Sequence, residues 1–186
     1  MNDKEAIFSL RLGITTFVLM MLLCVVIRPV GLVVNSGISY YGNYVETIIP
    51  YLIAFMSASF LMWRMSDLIV MKNKTDFFLK FGLKAVSVML IGIMLTPYNF
   101  LDIVHKTFGT ATFMLQLFMM IATSRYLKMN VLNILLITLV MTSGLFAFIF
   151  LLHSSGFMIE AQVAFQVSIW LLLLNYLSSH HRRAIS

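Results

Sequence analysis

Four histidines and seven carboxylates are all this chain holds for acid–base or metal chemistry, and a few of them stand close together at the ends of apolar segments. Asp102 and His105 are one helical turn apart, a spacing at which a carboxylate accepts an imidazole N–H and orients the ring. His153 and Glu160 flank the short turn Ser154-Ser155-Gly156. Two histidines and a carboxylate suffice to bind zinc and leave a position open for water. His105, His153 and Glu160 are therefore the candidate metal set, and the same three with Asp102 are the candidate catalytic groups. Each also has a plainer role. A carboxylate in the first turn of a helix is favoured by the helix dipole whatever the function, and an aspartate one turn away satisfies a histidine near a helix start. No HExxH, CxxC or Gly-rich phosphate loop accompanies them. Cys24 is the single cysteine and lies inside an apolar run, so it makes neither an internal disulfide nor a thiolate cluster. No cofactor is expected, zinc being the one metal these residues admit, and the chemistry leans away from an enzyme.

The remaining polar residues fall into patterns that suit binding. The segment 35–47 carries turn-forming Gly and Asn, three tyrosines and Glu46, with no basic residue. It reads as an interfacial loop with tyrosines at headgroup level, or as a lid over a cavity in which Ser39, Tyr40, Tyr41 and Glu46 take part. Gly37-Ile38-Ser39 invites a nucleophilic serine, but that motif needs a strained strand-to-helix turn in an α/β sheet, which an all-helical chain does not build. Asp102, His105, Gly109, Thr112 and Gln116 recur every three or four residues and so form one stripe of a helix. Gln162 and Gln166 share a face with Trp170. Such stripes point into a bundle, since lipid satisfies no polar group. The amides also serve as hydrogen-bonding glue between helices.

The elements that must carry these residues are membrane-spanning helices. Hydrophobic residues make up 61% of the 186 and charged residues 11%, against roughly 45–50% and about 25% in a typical soluble domain. Six apolar segments, 12–34, 48–71, 81–96, 103–123, 129–152 and 157–179, approach the about 20 residues needed to cross the hydrocarbon. Lys80 and Lys84 crowd the start of the third and are expected to snorkel; Arg64 and Asp67 near the end of the second are expected to pair with each other. Threading the segments in order leaves Arg28 and Lys106 on one face and the other eleven Lys and Arg on the opposite face. Short cationic loops stay cytoplasmic. The fold class is thus all-α: a single-domain, polytopic membrane protein of six helices, N and C termini cytoplasmic, in a plasma membrane and most compatibly a bacterial inner membrane. The net charge of +6 reflects this topology and anionic lipid, so no nucleic-acid partner is implied.

Over nearly its whole length the order of features resembles the six-span DRAM/Frag/Sfk group and its related bacterial and archaeal membrane proteins. Ile38-Ser39-Tyr40-Tyr41-Gly42 is similar to that family's Ile-Ser-x-x-Gly element after span one, with Tyr40 replacing the usual acidic residue. Val104-His105 opens span four, and Glu160 and Trp170 lie at the start and middle of span six, as in the family pattern. The resemblance implies a role involving membrane lipid, with Ser39, His105 and Glu160 as positions to test. The expectation is a protein that binds or handles membrane lipid, or accompanies a membrane-protein partner. It would do so through an outward pocket among spans one, two, four and six, lined by Ser39, Tyr40, Tyr41, Glu46, Asp102, His105, Thr112, Gln116, Glu160, Gln162 and Trp170. A metal-dependent lipid hydrolase or transferase, or a small transporter, are the alternatives.

Overall fold

Arg28-Pro29 decides where the first helix ends. The proline ring disfavours helical geometry in the residue before it, and Arg28 accordingly adopts φ −140° and ψ 76°. Helix α1 therefore spans Asp3–Ile27, and the chain continues as two 3-10 helices, η1 (Pro29–Val33) and η2 (Gly37–Asn43). The continuous first span expected to reach residue 34 is corrected: its last turn and a half is 3-10 helix. Five more helices follow: α2 (Val45–Leu68), α3 (Lys74–Leu95), α4 (Asp102–Ser124), α5 (Val131–His153) and α6 (Met158–Ile185). This computed structural model describes residues 3–34, 37–69, 71, 74–96, 101–125, 127, 129–153 and 157–185, with side chains omitted at 3, 4, 6, 150–153 and 178–185. No strand occurs among them. Six helices are long and apolar enough to cross a membrane.

Helix α3 starts earlier than its apolar run because its first turns are held by polar contacts. Asp76 sits in the first turn, where the dipole favours a carboxylate, and accepts a hydrogen bond from the Tyr176 hydroxyl of α6 at 2.9 Å. Lys84 pairs at 2.9 Å with Asp67 of α2 and lies 4.9 Å above the Trp63 ring. Asp67 is thus the partner of Lys84, not of Arg64: across two packed helices the geometry beats the one-turn spacing along α2.

The helices pack as a ring in chain order, α1 on α2, α2 on α3, α3 on α4 and α5 on α6, closed by α6 against α1. Packing between spans gains little from water exclusion, because lipid tails are as apolar as leucine; close backbone approach and interhelical hydrogen bonds must supply it. Ser59 and Ser87 provide both, each hydroxyl donating to the other's backbone carbonyl at 2.8–2.9 Å across α2 and α3. Gly13 admits the Leu61 side chain and Gly82 the Met119 thioether at distances a β-carbon would not allow. Helices α4 and α5 break the pattern. Consecutive in sequence, they lack the broad packing of the other neighbours and leave a seam. The bundle end bearing η1, η2 and the starts of α2, α4 and α6 is the distal end; the start of α1 and the end of α6 lie at the other.

Candidate functional site

The seam opens into a cavity of about 240 Å³ in the distal half, walled by all six helices and by η2. Phe17, Phe55, Leu90, Phe113 and Phe165 give it apolar sides. Ser39, His105, Thr112, Gln116, Gln162, Gln166 and Trp170 bring polar atoms to it. Among its lining residues the exposed ones are Lys106, Thr110 and Phe148, which stand on α4 and α5. The mouth is therefore lateral, between those helices, and Phe113 partly fills it. Its ring lies tilted against Phe165 at 4.6 Å and would come 3.2 Å from a β-carbon at Gly144 of α5.

His105 is a buried polar residue of the wall, 6% exposed, and both its ring nitrogens are engaged. Its Nδ1 lies 2.6 Å from the carbonyl oxygen of Thr96 and its Nε2 lies 2.6 Å from Ser39 Oγ. A carbonyl only accepts, so Nδ1 carries a proton and donates. In the neutral ring Nε2 then holds the lone pair and accepts the Ser39 hydroxyl proton. The Thr96 carbonyl is free because it follows the last turn of α3, where carbonyls lack intrahelical partners. The expected Asp102–His105 hydrogen bond is corrected. Asp102 Oδ2 instead accepts from Lys106 Nζ at 2.8 Å, the i,i+4 neighbour; a charged donor on a long stem outcompetes a buried imidazole.

Ser39 is placed by the anchoring of η2. Gly37 has φ +60°, a left-handed conformation open to glycine, and a β-carbon there would fall 2.5 Å from Gln162 Oε1. The contact lets the Ile38 N–H donate to that oxygen at 2.8 Å, tying η2 to α6. At the other end of η2 the buried Thr47 hydroxyl donates to the Tyr41 carbonyl at 2.7 Å. Ser39 is consequently held between α4 and α6, with the Tyr51 phenol beside it.

Deeper in the cavity, Gln116 Nε2 donates to Gln166 Oε1 at 3.2 Å. Gln166 Nε2 and Trp170 Nε1, one turn apart on α6, are buried donors with no acceptor among the described residues, although Trp170 is otherwise packed edge-on against Phe17 at 5.0 Å. Gly109 completes the wall. Among the described residues nothing lies within 4 Å of where its β-carbon would be, so this mid-helix glycine borders the cavity space.

The remaining candidates lie elsewhere. Tyr40 and Tyr41 are buried in protein. The Tyr40 hydroxyl accepts from Arg28 Nε at 2.9 Å, which holds its pKa below the usual phenol value, and Arg28 stacks 3.5 Å from the Tyr44 ring centre. Tyr41 fills the space under Gly31. Glu46 is exposed, 4.0 Å from Arg28. Glu160 is exposed, and neither it nor Asp102 borders the cavity. The His153 side chain lies outside the described residues. Among those described, no three His, Cys, Asp or Glu side chains gather as a metal site. Residues that the pattern reading passed over are Thr96, whose contribution is a backbone carbonyl, and the wall residues of α3 and α5.

Compared with known proteins, the chain matches no family model, no curated protein and no solved structure. Its chemistry must be read from the site alone.

Proposed function

We propose that this membrane protein binds and handles a membrane lipid, taking one acyl chain into the cavity through the α4–α5 seam. The observation that carries this reading is the combination of a lateral mouth, an apolar wall and polar groups at one end. About 240 Å³ falls below the roughly 300–1,000 Å³ typical of drug-sized sites, which suits one chain better than two. A tail moving from bilayer to cavity exchanges one apolar medium for another and gains little. Selectivity must come from polar contacts. The acceptorless Gln166 Nε2 and Trp170 Nε1 match the carbonyl oxygen of an ester or amide, and burying them unpaired otherwise costs about 1–3 kcal/mol each.

With the cationic face cytoplasmic, the distal end lies in the outer leaflet of the plasma membrane, a bacterial inner membrane being the fitting case. The resemblance to the DRAM/Frag/Sfk group points the same way, and a membrane-protein partner is compatible with it. Zinc chemistry gains no support from His105, both of whose ring nitrogens are already engaged.

Gly109→Phe tests the proposal, since the new ring enters open space. Lipid extracted from protein purified in mild detergent is expected near one molecule per chain in the wild type and well below that in G109F. Equal retention by both would refute the cavity as the binding site.

A further inference from the structure

We infer that Ser39 and His105 are a nucleophile and its base, and that the cavity transfers the acyl group of an ester-linked lipid through an acyl-serine. This rests on the lipid reading above and adds a reaction to it. The positions carry it. Oγ and Nε2 are 2.6 Å apart, and the Thr96 carbonyl at Nδ1 fixes the tautomer that leaves the Nε2 lone pair facing the hydroxyl. An activated serine requires that arrangement: nucleophile on base, base oriented by a third group. His105 and Ser39 both border the cavity, and Ser39 is the less buried of the two, so the hydroxyl is within reach of an ester carbonyl arriving there. Gln162 borders the same cavity; an amide is a group that stabilises a developing oxyanion. The orienting group is an uncharged carbonyl, weaker than an aspartate at stabilising imidazolium, so slow turnover is expected.

In the first step Oγ bonds to the ester carbonyl carbon and its proton passes to Nε2. The carbonyl carbon–oxygen bond to the lipid alcohol then breaks, and that alcohol leaves with the proton from Nε2, so the acyl chain stays on Ser39. In the second step water, or the hydroxyl of a second lipid, attacks the acyl carbon and gives its proton to Nε2. Ser39 Oγ departs and takes that proton, restoring the pair.

The test treats the full chain, in dodecyl maltoside micelles, with a hexadecyl fluorophosphonate and a p-nitrophenyl decanoate, and measures binding of an alkyl ether lipid that cannot be cleaved. Peptide mapping is expected to find a single phosphonate on Ser39 of the wild type and none in S39A. Where S39A does not accumulate, S39C serves, because its thiol reacts poorly with the probe. His105→Gln keeps a hydrogen-bonding side chain but no base, and is expected to slow labelling at least about 100-fold. If the ether lipid binds but Ser39 is unlabelled, or H105Q labels as fast as wild type, the pair is a structural tether; the acyl-transfer inference fails and lipid binding stands. If the ether lipid does not bind either, both readings fail.

Discussion

At the scale of single residues, the site is defined by atoms that lack what they need. Trp170 Nε1 has no acceptor among the described residues, so Trp170→Phe removes no hydrogen bond seen there. Its thermal stability is expected to stay within about 1 kcal/mol of wild type, the cost of a modest shape change in a packed wall. Its hold on an ester lipid is expected to weaken about fivefold, the worth of one hydrogen bond of about 1 kcal/mol, measured by lipid titration. Gly109 gives the opposite pattern. A glycine within a helix costs roughly 0.5–1 kcal/mol against alanine, and no neighbour requires it here. Gly109→Ala is expected to raise stability by up to about 1 kcal/mol in a denaturation series, with lipid retention reduced by the lost space. The polar stripe His105, Thr112, Gln116 was legible from its spacing, since polar groups on a spanning helix must turn inward. The partners were not. Thr96 acts through a carbonyl that every residue has, and Asp102 pairs with the Lys106 ammonium and not with the His105 ring on geometry that spacing alone leaves open.

At the scale of elements, the seam and the serine pair test different things. Ser59 and Ser87 bond reciprocally between α2 and α3. A double-mutant cycle with S59A and S87A is expected to give a coupling of about 0.6 kcal/mol and no more than about 1.7, read by reversible unfolding in bicelles. Neither change is expected to alter lipid binding. Phe113 stands in the mouth between α4 and α5, over Gly144 and against Phe165. Phe113→Ala is expected to speed exchange of a fluorescent acyl lipid severalfold, seen by stopped-flow quenching, whereas Phe113→Trp is expected to slow it. Boundaries followed local chemistry where a strong signal existed, as at Arg28-Pro29. They departed from it at α3, whose start is set by Tyr176 and Asp67 on other helices. Tertiary partners of that kind leave no mark in a hydropathy pattern.

For the whole molecule, the number of spans was legible because six apolar runs of sufficient length leave few alternatives. Ring order was legible only in part: neighbours in sequence pack together everywhere except at α4 and α5, and it is this exception that makes the site. The charge bias adds an expectation of its own. Reporter fusions at residues 1 and 186 are expected to read as cytoplasmic, and a reporter inserted at the η1–η2 junction as exterior; either terminus outside would invert the leaflet assigned to the cavity. The central claim, that a lipid chain occupies the space behind the α4–α5 seam, is met most directly by a phospholipid bearing a diazirine on its acyl chain, photolysed in native membranes. Adducts on Phe17, Phe55 or Leu90 of the inner wall, lost in G109F, are the expected result. Adducts confined to lipid-facing residues such as Phe60 and Phe118, unchanged in G109F, would contradict it.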